Sequence, residues 1–210
     1  MSNQRAGSLP EPGTPPAVGA IVLAGGRSAR FGRDKLAVPV AGRPLLWHAI
    51  GAVRPLAGEI VVVIAPDAQP DLPHDVLVAH DPVAFEGPLA GLLAGLTATR
   101  SDTVIVIGGD TPSLVGSVAL AMLAGLADPA FGAVVLEHDG RARPLPLVVR
   151  RDQATLAARR LVDGGERRLR ALTTALATTV IPEATWRRLD PDGRSIRDVD
   201  TPEDLPLPPG

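Results

Sequence analysis

The chain has 210 residues, of which 45% are hydrophobic and 21% charged, and its formal net charge is −2 at pH 7. This composition is typical of a globular protein and excludes a chain that is disordered throughout. With three Phe, two Trp, no Tyr and no Cys, the sequence offers neither disulfides nor an aromatic platform for nucleic acid, so we expect no nucleic-acid partner.

The two ends of the chain differ from the segment between them. Residues 1–18 contain four prolines and no apolar segment, so we expect a disordered N-terminal tail rather than a signal peptide. We expect residues 19–205 to form a single domain and residues 206–210 to form a C-terminal tail. The longest uncharged run, residues 111–127, is shorter than the roughly 20 residues of a spanning helix. We therefore predict a buried helix there, no membrane association and a cytoplasmic location.

Strands and helices alternate in the first half of the chain. Apolar, β-branched runs predict strands at residues 20–24, 59–65, 76–79 and 103–108. Helical periodicity predicts helices at residues 44–53 and 88–99, and Pro88 and Pro112 are typical of a first helical position. The α/β alternation predicts a three-layer αβα, Rossmann-like sandwich around a mostly parallel sheet.

The second half predicts a less regular arrangement. Strand-like runs at residues 131–137 and 144–149 flank Asp139-Gly140, which is typical of a hairpin turn and makes the predicted sheet mixed. Helices are predicted at residues 151–161 and 166–176, a strand at 179–181, and a short capped helix from Thr201.

The segment LAGGRSARFGRDK, residues 23–35, follows the first predicted strand. Gly25 and Gly26 lack a Cβ, so these residues can adopt a positive φ and their backbone N–H groups can approach a polyphosphate. Arg30 and Lys35, the only lysine in the chain, add positive charge. The glycine spacing does not match a dinucleotide-binding fingerprint, a P-loop or a nucleophile elbow. The segment therefore predicts a different kind of triphosphate-binding loop.

This segment resembles the signature of molybdenum cofactor guanylyltransferases, a family of the nucleotidyltransferase superfamily, and departs from it only at Phe31, where the family has Met. Further segments follow in the family's order: GRPLLWHAI from Gly42, EGPLAGL from Glu86, GGDTPSL from Gly108, GGERRLRAL from Gly164 and DVDTPEDL from Asp198. The resemblance implies the nucleotidyltransferase fold and Mg²⁺-dependent transfer of GMP from GTP to the terminal phosphate of molybdenum-molybdopterin, with release of pyrophosphate. It also implies molybdoenzymes or their chaperones as further partners.

The resemblance also assigns residues to the site. It implies that Lys35, Arg30 and Asp110 are catalytic and that Asp110 binds Mg²⁺. Asp198 or Asp200, where relatives often carry Asn, is a second candidate metal ligand, and we favour Asp200. The implied nucleotide-binding residues are Leu23, Ala24, Gly25, Gly26, Lys35, Asp81 and Asp110.

Two site assignments have an alternative, and one contact known in the family has no counterpart here. Asp110 follows a strand and precedes Thr111-Pro112, so it could instead cap a helix, although Thr111 can do that as well. Asp81 could be an ordinary loop carboxylate before Pro82. The family can place an Asn near guanine after the second strand, where this chain has only apolar residues at 63–65. The four histidines show no metal-ligand spacing.

Residues 141–170 contain nine Arg against three acidic residues, a local net charge of +6 in a chain whose total is −2. Such a segment would attract a pterin phosphate, and we take Arg143, Arg167 and Arg170 as candidate acceptor ligands. The same residues could instead form the solvated faces of two helices.

Two other functions remain open at the level of sequence. The first is a sister reaction, cytidylyl transfer to the same pterin or nucleotidyl transfer to a sugar or small organic phosphate. In the resembling families LAGG accompanies guanylyl transfer and LAAG cytidylyl transfer, so Gly26 favours GTP. The second is a non-catalytic, nucleotide-binding partner of molybdoenzymes.

Overall fold

The computed structural model describes residues 17–25, 35–81, 87–199 and 204. In this part of the chain a seven-stranded sheet carries helices on both faces, and a two-stranded hairpin precedes the first helix. The strands are β1 (Val18–Leu23), β2 (Pro39–Val40), β3 (Arg43–Pro44), β4 (Glu59–Ile64), β5 (Leu77–His80), β6 (Thr103–Gly108), β7 (Ala133–His138), β8 (Arg141–Arg150) and β9 (Thr178–Ile181). The α-helices are α1 (Leu45–Val53), α2 (Pro88–Ala98), α3 (Gly116–Gly125), α4 (Arg151–Asp163), α5 (Leu169–Ala175) and α6 (Glu183–Trp186).

The central strands are buried on both faces, because successive side chains of a strand point in opposite directions. Ala20 and Val22 of β1 belong to a core that also contains residues of α1, α3 and α6. Ile21, between them, belongs to a second core with residues of α2, α4 and α5. The uninterrupted apolar runs therefore serve two cores at once, and the predicted three-layer αβα fold is confirmed.

The strand order of the large sheet is β5-β4-β1-β6-β8-β7-β9. β1 pairs in parallel with β4 and β6, and β8 runs antiparallel to both β6 and β7. The predicted mostly parallel, mixed sheet is thus confirmed. The chain adds β4 and β5 on one side of β1 and then crosses to β6 on the other. Such a reversal opens a crevice at the carboxyl ends of the strands, where open α/β sheets bind ligands.

The turn between β7 and β8 forms at the predicted place. Asp139 and Gly140 have φ values of 49° and 68°. Positive φ at both central residues is the mark of a type I′ turn, whose twist suits a hairpin. The Asp-Gly signal therefore located this turn correctly.

The predicted helix starts at Pro112 and Glu166 are wrong. α3 begins at Gly116, because the preceding residues are held by other contacts: Thr111 N–H donates to the Gly108 carbonyl at 3.1 Å and Val115 N–H to Ser195 Oγ at 3.1 Å. α5 begins at Leu169, because the Glu166 carboxylate accepts the amide N–H groups of Arg167 and Arg168. The β2–β3 hairpin and α6 were not predicted.

α3 lies within the uncharged run of residues 111–127 and buries Val118, Ala119 and Met122. It is a core helix, as predicted. In the described segments no helix combines the length and the apolarity needed to cross a membrane.

Candidate active site

The end of β1 is fixed between its two neighbouring strands. Ala24 N–H donates to the Val63 carbonyl of β4 at 2.7 Å, and Gly109 N–H, after β6, donates to the Leu23 carbonyl at 2.9 Å. Gly25 does not have a positive φ, and a Cβ there would lie 3.7 Å from Ala65 N, an ordinary contact. Gly25 therefore does not use the positive φ that glycine permits, while the expected close approach of a polyphosphate stays a prediction.

Lys35 and Asp110 lie together at the carboxyl edge of the sheet. Lys35 begins a short 3-10 turn, Lys35–Ala37, which is anchored by the buried side chain of Leu36. Its Nζ donates to Asp110 Oδ2 at 2.7 Å and to the Val199 carbonyl at 3.0 Å. The two side chains are 15% and 30% exposed, so the ion pair is shielded from water but still accessible to a ligand. The structure thus joins two residues that are 75 positions apart in the sequence.

The segment around residues 196–199 closes the site from a third direction. Val199 N–H donates to the Asp110 carbonyl at 2.9 Å, while its own carbonyl accepts from Lys35. Asp198 Oδ1 accepts the Thr111 hydroxyl at 3.1 Å, and Asp198 Oδ2 accepts Arg143 Nη2 at 3.1 Å. Asp198 and Asp110 are therefore each bonded to a cation, but Asp110 lines the cavity described below and Asp198 is not part of its described lining.

A cavity of about 400 Å³ opens beside this cluster, on the α2 side of the sheet. Its lining includes Leu23, Gly25, Asp81, Gly91, Asp110 and Leu145. Asp81 is 7% exposed, and its backbone N–H donates to the Ile64 carbonyl at 2.9 Å, which extends the β4–β5 pairing to the cavity wall. The structure thus brings Asp81 and Asp110 to one cavity together with the end of β1. The volume lies within the range of small-molecule sites.

The three candidate acceptor arginines lie in different places. Arg143 is bonded within the cluster, as described above. The Arg167 carbonyl accepts the Leu89 N–H at the start of α2, which puts this loop at the rim of the cavity beside Gly87. Arg170 lines a separate surface depression with Leu161 and Thr174, so the described lining of the cavity does not include it.

Three assigned residues, Gly26, Arg30 and Asp200, lie outside the described residues. Two others that contribute to the site were not assigned to it by sequence. Val199 acts through its backbone, which leaves no signal in a side-chain pattern. Thr111 was considered only as a helix cap, whereas its hydroxyl binds Asp198.

A second group of ionisable residues lies at the β7–β8 turn. Ligand atoms of His138, Asp139 and Glu183 lie within 4.8 Å of one another. The Glu183 carboxylate also accepts Arg187 Nε at 3.1 Å and Asp139 N–H at 2.9 Å. The Asp139 amide and the His138 ring, bonded to this carboxylate, hold the pKa of Glu183 below its usual range. These three residues therefore form a link between the β7–β8 turn and α6, through hydrogen bonds of the Glu183 carboxylate to His138 and Asp139.

The sequence and the fold are similar to those of known proteins. A sequence profile described as the MobA-like NTP transferase domain matches residues 20–179. The chain is 37% identical to the probable molybdenum cofactor guanylyltransferase of Chloroflexus aggregans, over 89% of this chain and 91% of the relative. It is 33% identical to a protein of the same name from Mycobacterium marinum, over 90% and 91% of the two chains. The structure of molybdopterin-guanine dinucleotide biosynthesis protein A from Archaeoglobus fulgidus has the same fold, with a TM-score of 0.73, 21% identity and coverage of 89% and 94%.

Proposed function

Since the chain belongs to the family of MobA-like NTP transferase domains and is a nucleotidyltransferase of molybdenum cofactor biosynthesis, we propose that its reaction is the Mg²⁺-dependent transfer of GMP from GTP to molybdenum-molybdopterin. The observation that carries the proposal is the Lys35–Asp110 pair beside the 400 Å³ cavity. This pair joins a cation and a carboxylate at the switch point of the sheet, and we propose that the carboxylate binds the metal.

In this reaction an oxygen of the acceptor's terminal phosphate attacks the α-phosphorus of GTP. A new P–O bond forms, the bond from the α-phosphorus to the bridging oxygen of the β-phosphate breaks, and pyrophosphate leaves with the electron pair. A phosphate nucleophile is already anionic at neutral pH, so no general base is required. The protein has to align two anions that repel each other and neutralise their charge.

Lys35 supplies one of these charges. Its Nζ is bonded to Asp110 and to the Val199 carbonyl, so the ammonium is held at a defined point above the end of β1. A compact ammonium can follow phosphate oxygens as charge moves to the leaving pyrophosphate. Arg30, in the loop outside the described residues, is proposed to add a second cation.

Asp110 fits a protein carboxylate of a Mg²⁺ site, and Asp200, outside the described residues, stays the proposed second one. Mg²⁺ is usually held by one or two carboxylates together with substrate phosphates and water. The Asp110 side chain is 30% exposed and lines the cavity. The charged side chains described here, Lys35 and Arg143 against Asp81, Asp110 and Asp198, carry more negative than positive charge. A bound triphosphate therefore needs additional cations, and Mg²⁺ supplies two charges on the phosphates.

Asp81 supports guanine as the base. A carboxylate accepts only, and guanine presents two adjacent donors, the N1–H and the N2 amino group, whereas cytosine presents a single amino group on that edge. Asp81 lies in the wall of the cavity with the apolar Val63 next to it. In the family an Asn can contact guanine at this place, but residues 63–65 of this chain have only apolar side chains. We propose that Asp81 makes a contact with guanine instead.

The test is the release of pyrophosphate by the full chain with molybdenum-molybdopterin, Mg²⁺ and each of GTP, CTP, ATP and UTP. We expect release with GTP, and we expect Asp110→Asn to reduce it by at least about 10²-fold, because the variant removes the metal-binding charge. Release with CTP alone would replace the guanylyl assignment by cytidylyl transfer. Nucleotide binding without release of pyrophosphate, in the wild type, would identify a non-catalytic binding protein.

A further inference from the structure

We propose that Asp198 is a positioning residue, which holds the guanidinium of Arg143 so that it binds the phosphate of the acceptor. This inference rests on the proposed function, since it assigns part of the acceptor site of the same reaction. The two residues are 55 positions apart and belong to different elements, Arg143 to β8 and Asp198 to the segment after α6.

Among the described residues, Thr111 and Arg143 both donate to the Asp198 carboxylate. Thr111, 3% exposed, donates its hydroxyl to Oδ1 at 3.1 Å. Arg143 Nη2 donates to Oδ2 at 3.1 Å. Thr111 directly follows Asp110, so the position of Asp198 is set from the metal-binding loop. Asp198 in turn transmits that position to Arg143.

Arg143 keeps donors that face no protein acceptor. Its described bonds, to Asp198 and to the Ile196 carbonyl at 3.3 Å, both use Nη2. Its Nε is buried and has no hydrogen-bond partner among the described residues. Buried donors in native proteins are nearly always paired, and guanidinium groups bind phosphate oxygens through two N–H groups at once. The Nε has no exposed surface, but the Arg143 side chain is 33% exposed and its Nη1 makes no bond with the described residues, so Nη1 is the donor that this held guanidinium offers to a phosphate.

The location agrees with this ligand. Val199, next to Asp198, is bonded through its carbonyl to Lys35 and through its N–H to the Asp110 backbone. The acceptor phosphate has to reach the α-phosphorus that Lys35 and Asp110 are proposed to hold. A phosphate bound by Arg143 would lie next to that point.

A direct role of Asp198 as a second metal ligand makes a different prediction. Both carboxylates already accept from a cation, Asp110 from Lys35 and Asp198 from Arg143, so the two roles of Asp198 differ in what its loss would weaken. If Asp198 binds the metal, its loss weakens the binding of Mg²⁺ and GTP. If it positions Arg143, its loss weakens the binding of the acceptor alone.

The experiment measures equilibrium binding of molybdopterin, and separately of GTP with Mg²⁺, to the full chain and four variants. The variants are Arg143→Ala, Asp198→Asn, their combination, and Asp192→Asn as a control, an exposed aspartate of the same segment. We expect each of the first two to weaken molybdopterin binding about tenfold or more. The combination is expected to be no weaker than Arg143→Ala alone, because Asp198 acts through Arg143. The control and all binding of GTP should stay within about twofold of the wild type.

Substitutions of Thr111 test the anchor. Thr111→Ser keeps the hydroxyl and should bind molybdopterin like the wild type, whereas Thr111→Val should weaken binding as Asp198→Asn does. A general loss of folding would lower the binding of GTP in parallel, which the proposal excludes.

Independent, multiplying losses in the combined variant would overturn the proposal, as would weakened GTP binding in Asp198→Asn or unchanged molybdopterin binding in Arg143→Ala. The product assay separates this inference from the proposed function. A wild type that binds molybdopterin with the expected coupling, yet forms no dinucleotide, contradicts the reaction and leaves the positioning role standing.

Discussion

Lys35 is the only ammonium side chain in the sequence, and it occupies the centre of the described site. Its acceptors among the described residues come from distant parts of the chain, a carboxylate after β6 and a backbone carbonyl at residue 199. Neither acceptor is specific for lysine in itself. Together, the carboxylate and the carbonyl hold a compact ammonium at the carboxyl ends of the strands. We expect the loss of that charge to affect the reaction more than the fold.

Lys35→Ala is expected to lower turnover by about 10²-fold or more, the usual effect of removing one donor aimed at developing charge. Lys35→Arg should recover only part of it, because a planar guanidinium cannot occupy the position of an ammonium with the same geometry. Rates of pyrophosphate release and thermal unfolding curves of the three proteins provide the measurement. Parental turnover in Lys35→Ala would show that the polyphosphate site lies elsewhere.

Gly91 controls the width of the cavity. It lies in α2, and a Cβ there would be 3.3 Å from Asp81 Oδ2 and 3.5 Å from Val63 Cγ1. We expect Gly91→Ala to weaken GTP binding about tenfold, because the methyl group narrows the space beside Asp81. Alanine in place of a helix glycine usually stabilises a fold by about 0.5 to 1 kcal/mol, but the crowding beside Asp81 offsets that gain at Gly91.

Gly51→Ala is the matched control, since Gly51 lies in α1 and a Cβ there meets nothing within 4 Å. Gly51→Ala should raise the free energy of unfolding by about 0.5 to 1 kcal/mol and leave the binding of GTP unchanged. Equal nucleotide affinities of the two variants would contradict the role of Gly91 in the cavity wall.

At the scale of elements, the start of α2 is where the cavity meets the basic loop at residues 164–168. Gly87 precedes α2 with φ 110° and ψ 165°, a conformation that essentially only glycine adopts. A Cβ there would lie 2.7 Å from the Arg167 carbonyl oxygen, which accepts the Leu89 N–H. The helix is therefore capped by the backbone of a loop 78 to 80 residues further along the chain, and this contact needs the glycine.

Gly87→Ala is expected to lower the free energy of unfolding by about 3 kcal/mol, from backbone strain together with the collision with Arg167. Gly42→Ala separates the two causes, because Gly42 has φ 80° and an added Cβ there meets nothing within 4 Å. The control should lose only about 1 kcal/mol, from strain alone. Urea unfolding of both variants measures the difference, and equal losses would mean that the contact with the loop contributes nothing.

At the scale of the whole molecule, the segment after α6 joins the two ends of the fold. Asp190, 2% exposed, accepts the Ser195 N–H at 2.7 Å, and Ser195 Oγ accepts the Val115 N–H before α3. Val199 then reaches Lys35 and Asp110. The geometry of the site therefore depends on a turn that lies just before Val199 in the sequence but far from Lys35 and Asp110.

This dependence has a consequence for acid stability. Burial opposes ionisation of Asp190, but the hydrogen bonds from Ser195 and Arg194 outweigh it and hold the pKa of the carboxyl below its usual range. The unfolded chain thus binds this proton at higher pH than the folded chain does. The stabilisation is complete above the unfolded pKa of about 3.9 and is lost as the pH falls through the lower folded value.

We expect the free energy of unfolding to fall on acidification from about pH 5 to pH 3. Asp190→Asn should make this dependence shallower and, at pH 7, should lower the stability by about 1 to 3 kcal/mol, because it weakens charge-assisted bonds at a buried position. Urea unfolding at a series of pH values tests both effects. An unchanged slope in the variant would show that other carboxylates, such as Glu166 with its pKa of about 2, dominate the acid response.

The sequence by itself determined the architecture and the motifs of the site. Uninterrupted β-branched runs are typical of strands that are covered on both faces, and an Asp-Gly pair is typical of a hairpin turn. Both predictions depended only on residues that are close together in the chain. The resemblance then led to Lys35, Asp81 and Asp110, which the structure brings to the same edge of the sheet.

Only the tertiary structure decided how these residues are held and which arginine joins them. The helix start at Gly116, the contact of Arg143 with Asp198, and the backbone bonds of Val199 all depend on partners between 55 and 164 positions away. Nearly every residue carries the same backbone carbonyl and amide groups, so a pattern of side chains cannot predict which of these groups bond to each other. Of the three arginines chosen by charge, the structure ties Arg143 to the site cluster and puts Arg170 on another surface, because charge density in a sequence carries no direction in space.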